Sequence, residues 1–359
     1  MVIHILDPSF TLVDVIDDYI SVIWRPAYYD IGDFELYINA SSKAVEVLKN
    51  GYYLVRDTDI ALDEANNVTY KNVMIIKGVT LDTDAENGDH LTYTGRELKY
   101  LLHQRIVWQQ TNLTGYTEES IRKLVTDNAI SPTDTYRKIP ALTLGATAGL
   151  LDTIKKQVTG DYLDKAIIDI CTAYNYGWEI YIYNTSLVFK IYAGVDRSHS
   201  QSAIPYVVFS DNFDNILNSL YERKSEDYAN CALIGGEGEG EARIFDKINN
   251  TIAGLDRFET FVDARDISQN KDSEDEIALD DYLVLLQERG IERLAELSIT
   301  EGFSGEVLSD MTFKYGVDFY LGDIVTVTNK YGITGNVRIL SAIESADDTG
   351  EKLIPQFNI

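Results

Sequence analysis

Gly235-Gly-Glu-Gly-Glu-Gly240 is the stretch most suggestive of chemistry, because a glycine-rich loop lets backbone N–H groups close around a phosphate. No Lys-Ser/Thr pair follows it, however, and its two glutamates would oppose a pyrophosphate. The expectation is a flexible hairpin between a strand ending near Ile234 and one starting near Ala242. The four histidines, His4, His90, His103 and His199, lie outside metal-ligand spacing of one another, and neither His-Glu-x-x-His nor Cys-x-x-Cys occurs. His103 reads as a helix-face residue rather than a base. Glycoside hydrolysis would need two carboxyl groups of diverging pKa in one groove. Asp17-Asp18, Asp280-Asp281 and Asp347-Asp348 read instead as solvated surface or turns, and no EF-hand calcium loop is present. The sequence nominates no catalytic, cofactor-binding or metal-binding residue, so a non-enzymatic protein without a cofactor is expected.

Composition narrows the class further. At 359 residues the chain is long enough for two or three domains, and 45% hydrophobic residues with a mean hydropathy of -0.15 suit a soluble globular protein. No run approaches the roughly 18 apolar residues of a membrane helix, so membrane insertion is not expected. The start lacks the basic and apolar segments of a secretory signal. Cys171 sits in an apolar helix pattern and Cys231 in a strand pattern, which predicts two buried free thiols and fits synthesis in a reducing cytoplasm. With 31 basic against 58 acidic residues the net charge is -27, which repels nucleic acid because backbone affinity comes from lysine and arginine. Tyrosines number 24 against 3 tryptophans; they suit either subunit interfaces or plain strand packing, and both readings stay open.

Residues 1–105 are predicted to form an N-terminal β domain, with strand-like runs near 3–6, 18–24, 33–38, 52–57, 72–78 and 90–94. Ser41 is placed to cap a short helix, and 96–104 carries a helical apolar face. Residues 106–195 turn α/β, with helices over 117–129 and 161–174 and a hairpin around Asn184-Thr185. Residues 196–270 return to β, and 268–276 reads as an exposed connection. A helical segment spans 271–304, where Gly290 is expected to kink or end a first helix. A closing β segment occupies 305–359. The fold class is α+β, mainly β.

Phe313-Lys-Tyr-Gly-Val-Asp-Phe-Tyr-Leu-Gly322-Asp323-Ile-Val, with the returning strand from Asn336, resembles the C-terminal β-barrel of baseplate hub or tail-tip proteins of tailed phages. Asp7-Pro-Ser-Phe10, Ile16 to Trp24 and Tyr29-Asp-Ile-Gly32-Asp33-Phe-Glu-Leu36 are similar to the opening of that family. Gly95-Arg96-Glu-Leu98, Phe189 to Arg197, Ala232 to Gly236, Arg257 to Asp263 and Gly290 to Leu297 follow in order, so the resemblance spans nearly the whole chain. It extends to the N-terminal hub part of tail-associated lysins, without room for an appended lytic domain.

The resemblance implies two tube-like β-barrel domains, 1–105 and 305–359, completed by 196–270, with the α/β insertion outside. It implies a homotrimeric ring that adapts a six-fold tail tube to a three-fold tip. Its partners would be tail tube and distal tail proteins, the tape measure protein, and spike or receptor-binding proteins. The site of action would be the virion tail tip, after synthesis in the bacterial host. DNA would leave through the ring without specific binding; the acidic surface either lines that channel or serves solubility. The Leu321-Gly-Asp-Ile-Val and Gly32-Asp-Phe-Glu-Leu segments are the expected ring-forming edges. The alternatives are a tail-associated cell-wall hydrolase, glycosidase or peptidase, and a carbohydrate receptor-binding tail protein.

Overall fold

The computed structural model describes residues 1–84, 86, 88–271, 276–307 and 312–358. Two-residue alternation dictates the main element: Phe34, Leu36 and Ile38 of the strand Asp33–Asn39 are buried, while the residues between them face outward. Strands of this kind join into one 13-stranded sheet. From one edge its main path runs Ile216–Lys224, Thr300–Val307, Gly350–Asn358, Thr334–Asp347, Ser21–Arg25, Asp33–Asn39, Gly88–Glu97, Met74–Asp84, Tyr53–Arg56, Ile3–Leu6 and Leu12–Ile16, every neighbour antiparallel. Ile324–Thr328 and its parallel partner Val208–Ser210 branch off.

The mainly β class is as read, but none of the sheets closes into a barrel within the chain. The reason is the 14-residue strand Thr334–Asp347. Its first part pairs with Ile324–Thr328, and its last part, Glu344 to Asp347, pairs with Trp24 to Ser21. One strand thus serves two lobes, and the sheet passes from one to the other instead of returning on itself. Each lobe keeps its own core: Val22, Trp24, Phe34 and Leu36 in the first, Phe209, Phe319, Val325 and Ile339 in the second.

The α-helices are α1 (Ser42–Val47), α2 (Thr117–Val125), α3 (Leu163–Tyr174) and α4 (Leu279–Glu296). Ser41 Oγ accepts from Ala44 N and caps α1 as expected. Residues 98–104 form a short 3-10 run, Leu98–Gln104. The hairpin Gly177–Tyr183/Ser186–Tyr192 turns at Asn184, whose φ of 52° suits asparagine. Val68–Tyr70, from the N-terminal part of the chain, extends the same sheet. Gly290 neither kinks nor ends α4. A Cβ there would come within 2.6 Å of Ile248 Cδ1 and 2.8 Å of Ile234 Cγ1, so the glycine admits the sheet beneath it.

Between Lys224 and Thr300, which pair directly, the chain inserts a unit of three strands, Cys231–Gly235, Phe245–Ile248 and Glu259–Asp263, covered by α4. Residues 272–275 of the predicted connection 268–276, and 308–311 of the closing segment, lie outside the described residues. The unit docks on the strand Thr153–Val158 through polar groups. Lys155 pairs with Asp281 at 2.7 Å, Lys156 with Glu292, and Gln157 both donates to Ser268 O and accepts from Ser268 N. Lys156 and Glu292 are mostly buried, so their pair resists screening better than the exposed Lys155–Asp281 pair. Lys156→Ala should weaken docking by about 1–2 kcal/mol and speed hydrogen exchange along Thr153–Val158. Unchanged exchange would show that the ion pair is idle.

Candidate functional site

The segments singled out in the sequence converge on Tyr28, which is fully buried. Its hydroxyl donates to Asn175 O and accepts from Gly194 N of the insertion, both at 3.0 Å, while its ring sits in the core of the second lobe, so one side chain ties the first lobe, the insertion and the second lobe. The glycines of the motifs make room for it. A Cβ at Gly177 or Gly322 would lie 2.1 or 2.2 Å from the Tyr28 ring, and Gly322 also holds a φ of 86°. A Cβ at Gly194 would fall 1.8 Å from Gly322 O. Tyr192 meets the ring edge-on at 5.3 Å, and the Arg338 guanidinium sits 5.8 Å from its centroid. Burial pushes the Tyr28 hydroxyl up from its ordinary pKa, keeping it neutral and able to donate.

Asp323, the acidic residue of the Leu321-Gly-Asp-Ile-Val segment, locks the same junction. Its buried carboxylate accepts from Val195 N and Arg197 Nε, both at 2.8 Å, and from Tyr320 N at 3.0 Å. The Phe189–Arg197 and Leu321–Val325 segments are therefore one turn-on-turn contact. A second contact joins Gly32-Asp-Phe-Glu-Leu to Gly95-Arg96-Glu-Leu. Glu97 accepts from Gly32 N at 2.9 Å, and Asp33 lies between Arg25 and Arg96. Burial pushes the Glu97 carboxyl up, opposed by the Lys99 ammonium and the Gly32 N–H. Lys99 donates to Ala27 O and Asp30 O and lies 5.2 Å from the Trp178 ring, anchoring the insertion.

None of these groups forms a reactive arrangement. His103 stacks between Tyr100 and Tyr162 with Nδ1 2.9 Å from Asp164; His199 meets Tyr206; His4 and His90 lie in strands. The 235–240 loop is a hairpin connection, with Glu237 N donating to Tyr282 OH. Cys171 and Cys231 are buried free thiols. Among the described residues no cluster of His, Cys, Asp and Glu is arranged to hold a metal ion.

The expected ring-forming edges are not edges. Asp33–Asn39 is paired on both sides, by Ser21–Arg25 and Gly88–Glu97, and Ile324–Thr328 by Val208–Ser210 and Thr334–Asp347. Periodicity in the sequence reports which face is buried but not which neighbours a strand acquires. The open main-chain edges lie elsewhere. Among the described residues Ile216–Lys224 pairs only with Thr300–Val307, Leu12–Ile16 only with Ile3–Leu6, and Met74–Asp84 loses its second partner after residue 76. Each open edge carries exposed aliphatics: Leu217 and Leu220 on the first, Leu12, Val13 and Val15 on the second, Val79 and Leu81 on the third. Apolar residues on an open edge are what an isolated protein avoids and an assembling one uses.

A model of the Siphovirus ReqiPepy6 Gp37-like protein family matches residues 2–357. The solved tail protein from Neisseria meningitidis MC58 is similar to this chain with a TM-score of 0.58 at 12% identity, over 99% of this chain and 96% of that one. The 43 kDa tail protein of prophage MuSo2 from Shewanella oneidensis is similar with a TM-score of 0.58 at 11% identity, over 99% and 98%. At such identities the likeness is one of fold. A search of curated proteins finds no match.

Proposed function

The chain belongs to the Siphovirus ReqiPepy6 Gp37-like family of siphovirus tail proteins, and from that structural tail role we propose that it is the non-enzymatic hub of the distal tail. In this reading three copies form the ring that adapts the tube to the tip, contacts the neighbouring tail proteins and encloses the DNA channel. The observation that carries it is that two of the open edges, those of Ile216–Lys224 and Met74–Asp84, lie on one continuous sheet. Between them run eight strands, Ile216–Lys224 through Met74–Asp84, all antiparallel. An even count means that the alternation continues when one copy's Met74–Asp84 meets the next copy's Ile216–Lys224. Three copies at about 4.8 Å per strand make a ring about 115 Å around and about 37 Å across between backbones, ample for a duplex.

The face turned away from the cores suits a channel wall. The register aligns Thr80, Thr92, Tyr37 and Ser21 in one row and Thr94, Glu35, Ile23 and Ser345 in the next. The row of Arg25 and Arg96 has both arginines beside Asp33, which reduces their attraction for phosphate. Lys352 continues the second row beside Ser345, with the Asp347 carboxylate as its charged neighbour, so such a wall would hold DNA only weakly.

Val79→Lys together with Leu81→Lys puts charge on one open edge while changing only exposed side chains, so stability should move by less than about 1 kcal/mol. Ring formation, read by native mass spectrometry and electron microscopy of assembled tails, should be lost. Tails of normal tip structure built from that variant would overturn the edge-to-edge ring. Three-fold density absent from the tips of wild-type tails would overturn the hub reading itself.

A further inference from the structure

A groove of about 690 Å³ opens on the insertion between the strand Thr111–Tyr116 and the end of α2. Of its lining residues only Trp108 is apolar. That indole is 55% exposed, whereas Trp24 and Trp178 are fully buried. The helix behind it is irregular: α2 widens into a π-helical turn, Thr126–Ile130, a feature that recurs at functional sites because it gives up regular helix bonding to aim a side chain. Here the turn presents Asp127 to the groove and buries Asn128. Asn128 Oδ1 accepts from Trp108 N and from Arg137 Nη2, both at 3.3 Å.

Of the four charged side chains on the groove, Lys123 and Asp127 pair with each other, which leaves Asp134 and Arg137. The Arg137 guanidinium lies 4.5 Å from the Trp108 ring, and Arg105 Nε donates to Arg137 O. Neither arginine has an ion-pair partner among the described residues, in a chain with 58 acidic side chains. Burial, and then the neighbouring Arg105, lower the pKa of Arg137 against the opposing Asp134 carboxylate. The side-chain amides of Gln109 and Gln110, also on the lining, have no hydrogen-bond partner within the described residues.

We propose that this groove binds an acidic oligosaccharide, with Trp108 as the stacking platform, Gln109 and Gln110 as hydroxyl partners, and Arg137 facing the carboxylate or phosphate. The indole face is electron-rich and receives the C–H face of a pyranose. Planar amides and carboxylates exchange paired hydrogen bonds with neighbouring hydroxyls, and guanidinium groups make their strongest hydrogen bonds to anionic oxygens. A docked protein would instead need buried apolar anchors, which the groove lacks. The site is independent of the ring.

Trp108 is the one tryptophan that solvent reaches, so fluorescence of the full chain reports on the groove. Titration with hyaluronan tetrasaccharide, with uncharged chitotetraose beside it, and an array of bacterial wall and capsular glycans provide the test. Binding of the tetrasaccharide or an acidic array glycan is expected, about tenfold tighter than its neutral counterpart. Trp108→Ala should abolish it and Gln110→Ala should weaken it about tenfold, both with wild-type thermal melts. No glycan bound above the Trp108→Ala background, or equal binding of neutral sugars, would overturn the proposal. So would binding of a polyglutamate peptide with no glycan bound, which would mark a protein-docking groove.

Discussion

Tyr28→Ala should destabilise the protein by about 3–5 kcal/mol, the range for removing a large buried aromatic side chain. The side chain is fully buried where the two lobes and the insertion meet, and Gly177 and Gly322 are shaped to it. Gly177 cannot collapse into the space without losing the strand Gly177–Tyr183, so the cavity should persist. Tyr28→Phe keeps the packing and removes only the hydroxyl, leaving Gly194 N and Asn175 O without their partner. It should cost about 1–3 kcal/mol. Denaturant unfolding followed by hydrogen exchange provides the reading. In the alanine variant protection should fall together in Gly177–Tyr183 and in Ile324–Thr328, because one side chain serves both. Loss confined to the first lobe would refute the three-way role.

Arg56→Met is the second large effect, expected at about 3–5 kcal/mol because it strands two carboxylates. Arg56 is 2% exposed, paired with Asp59 through Nε and with Glu344 through Nη1, and it lies 5.6 Å from the Trp24 ring. Burial by itself would lower its pKa; the carboxylates of Asp59 and Glu344 outweigh that, and the guanidinium stays charged above its usual value. Glu344 belongs to the strand shared by the lobes, so the pair holds them across the sheet. Denaturant unfolding of Arg56→Met, Glu344→Gln and the double variant separates charge from packing: Glu344→Gln should recover part of the loss caused by Arg56→Met. No recovery would show that lost packing, not stranded charge, sets the cost.

Much of this protein was readable as sequence where the signal is local. Alternation placed Asp33–Asn39 and the Gly177–Tyr192 hairpin, the helical apolar face of 161–174 placed α3, and Ser41 announced its helix. The order of the motifs pointed to a tail protein, and the match over residues 2–357 establishes it. Gly290 was misread because a glycine's part in a helix depends on what packs against it, here Ile234 and Ile248 from a distant sheet.

Tyr28, the common neighbour of Gly177 and Gly322, carries no local mark in the sequence. Arg56, ending an apolar strand, was a hint of a buried ion pair whose partner lies 288 positions away. Composition, periodicity and turn chemistry are properties of neighbouring residues, so the sequence alone determined the class, most elements and the family likeness. Which edges stay open, which glycines share a neighbour and where Trp108 meets Arg137 depend on pairings between distant segments. Only the tertiary structure decided those, because register and contact at long range are settled by the packing of the whole chain.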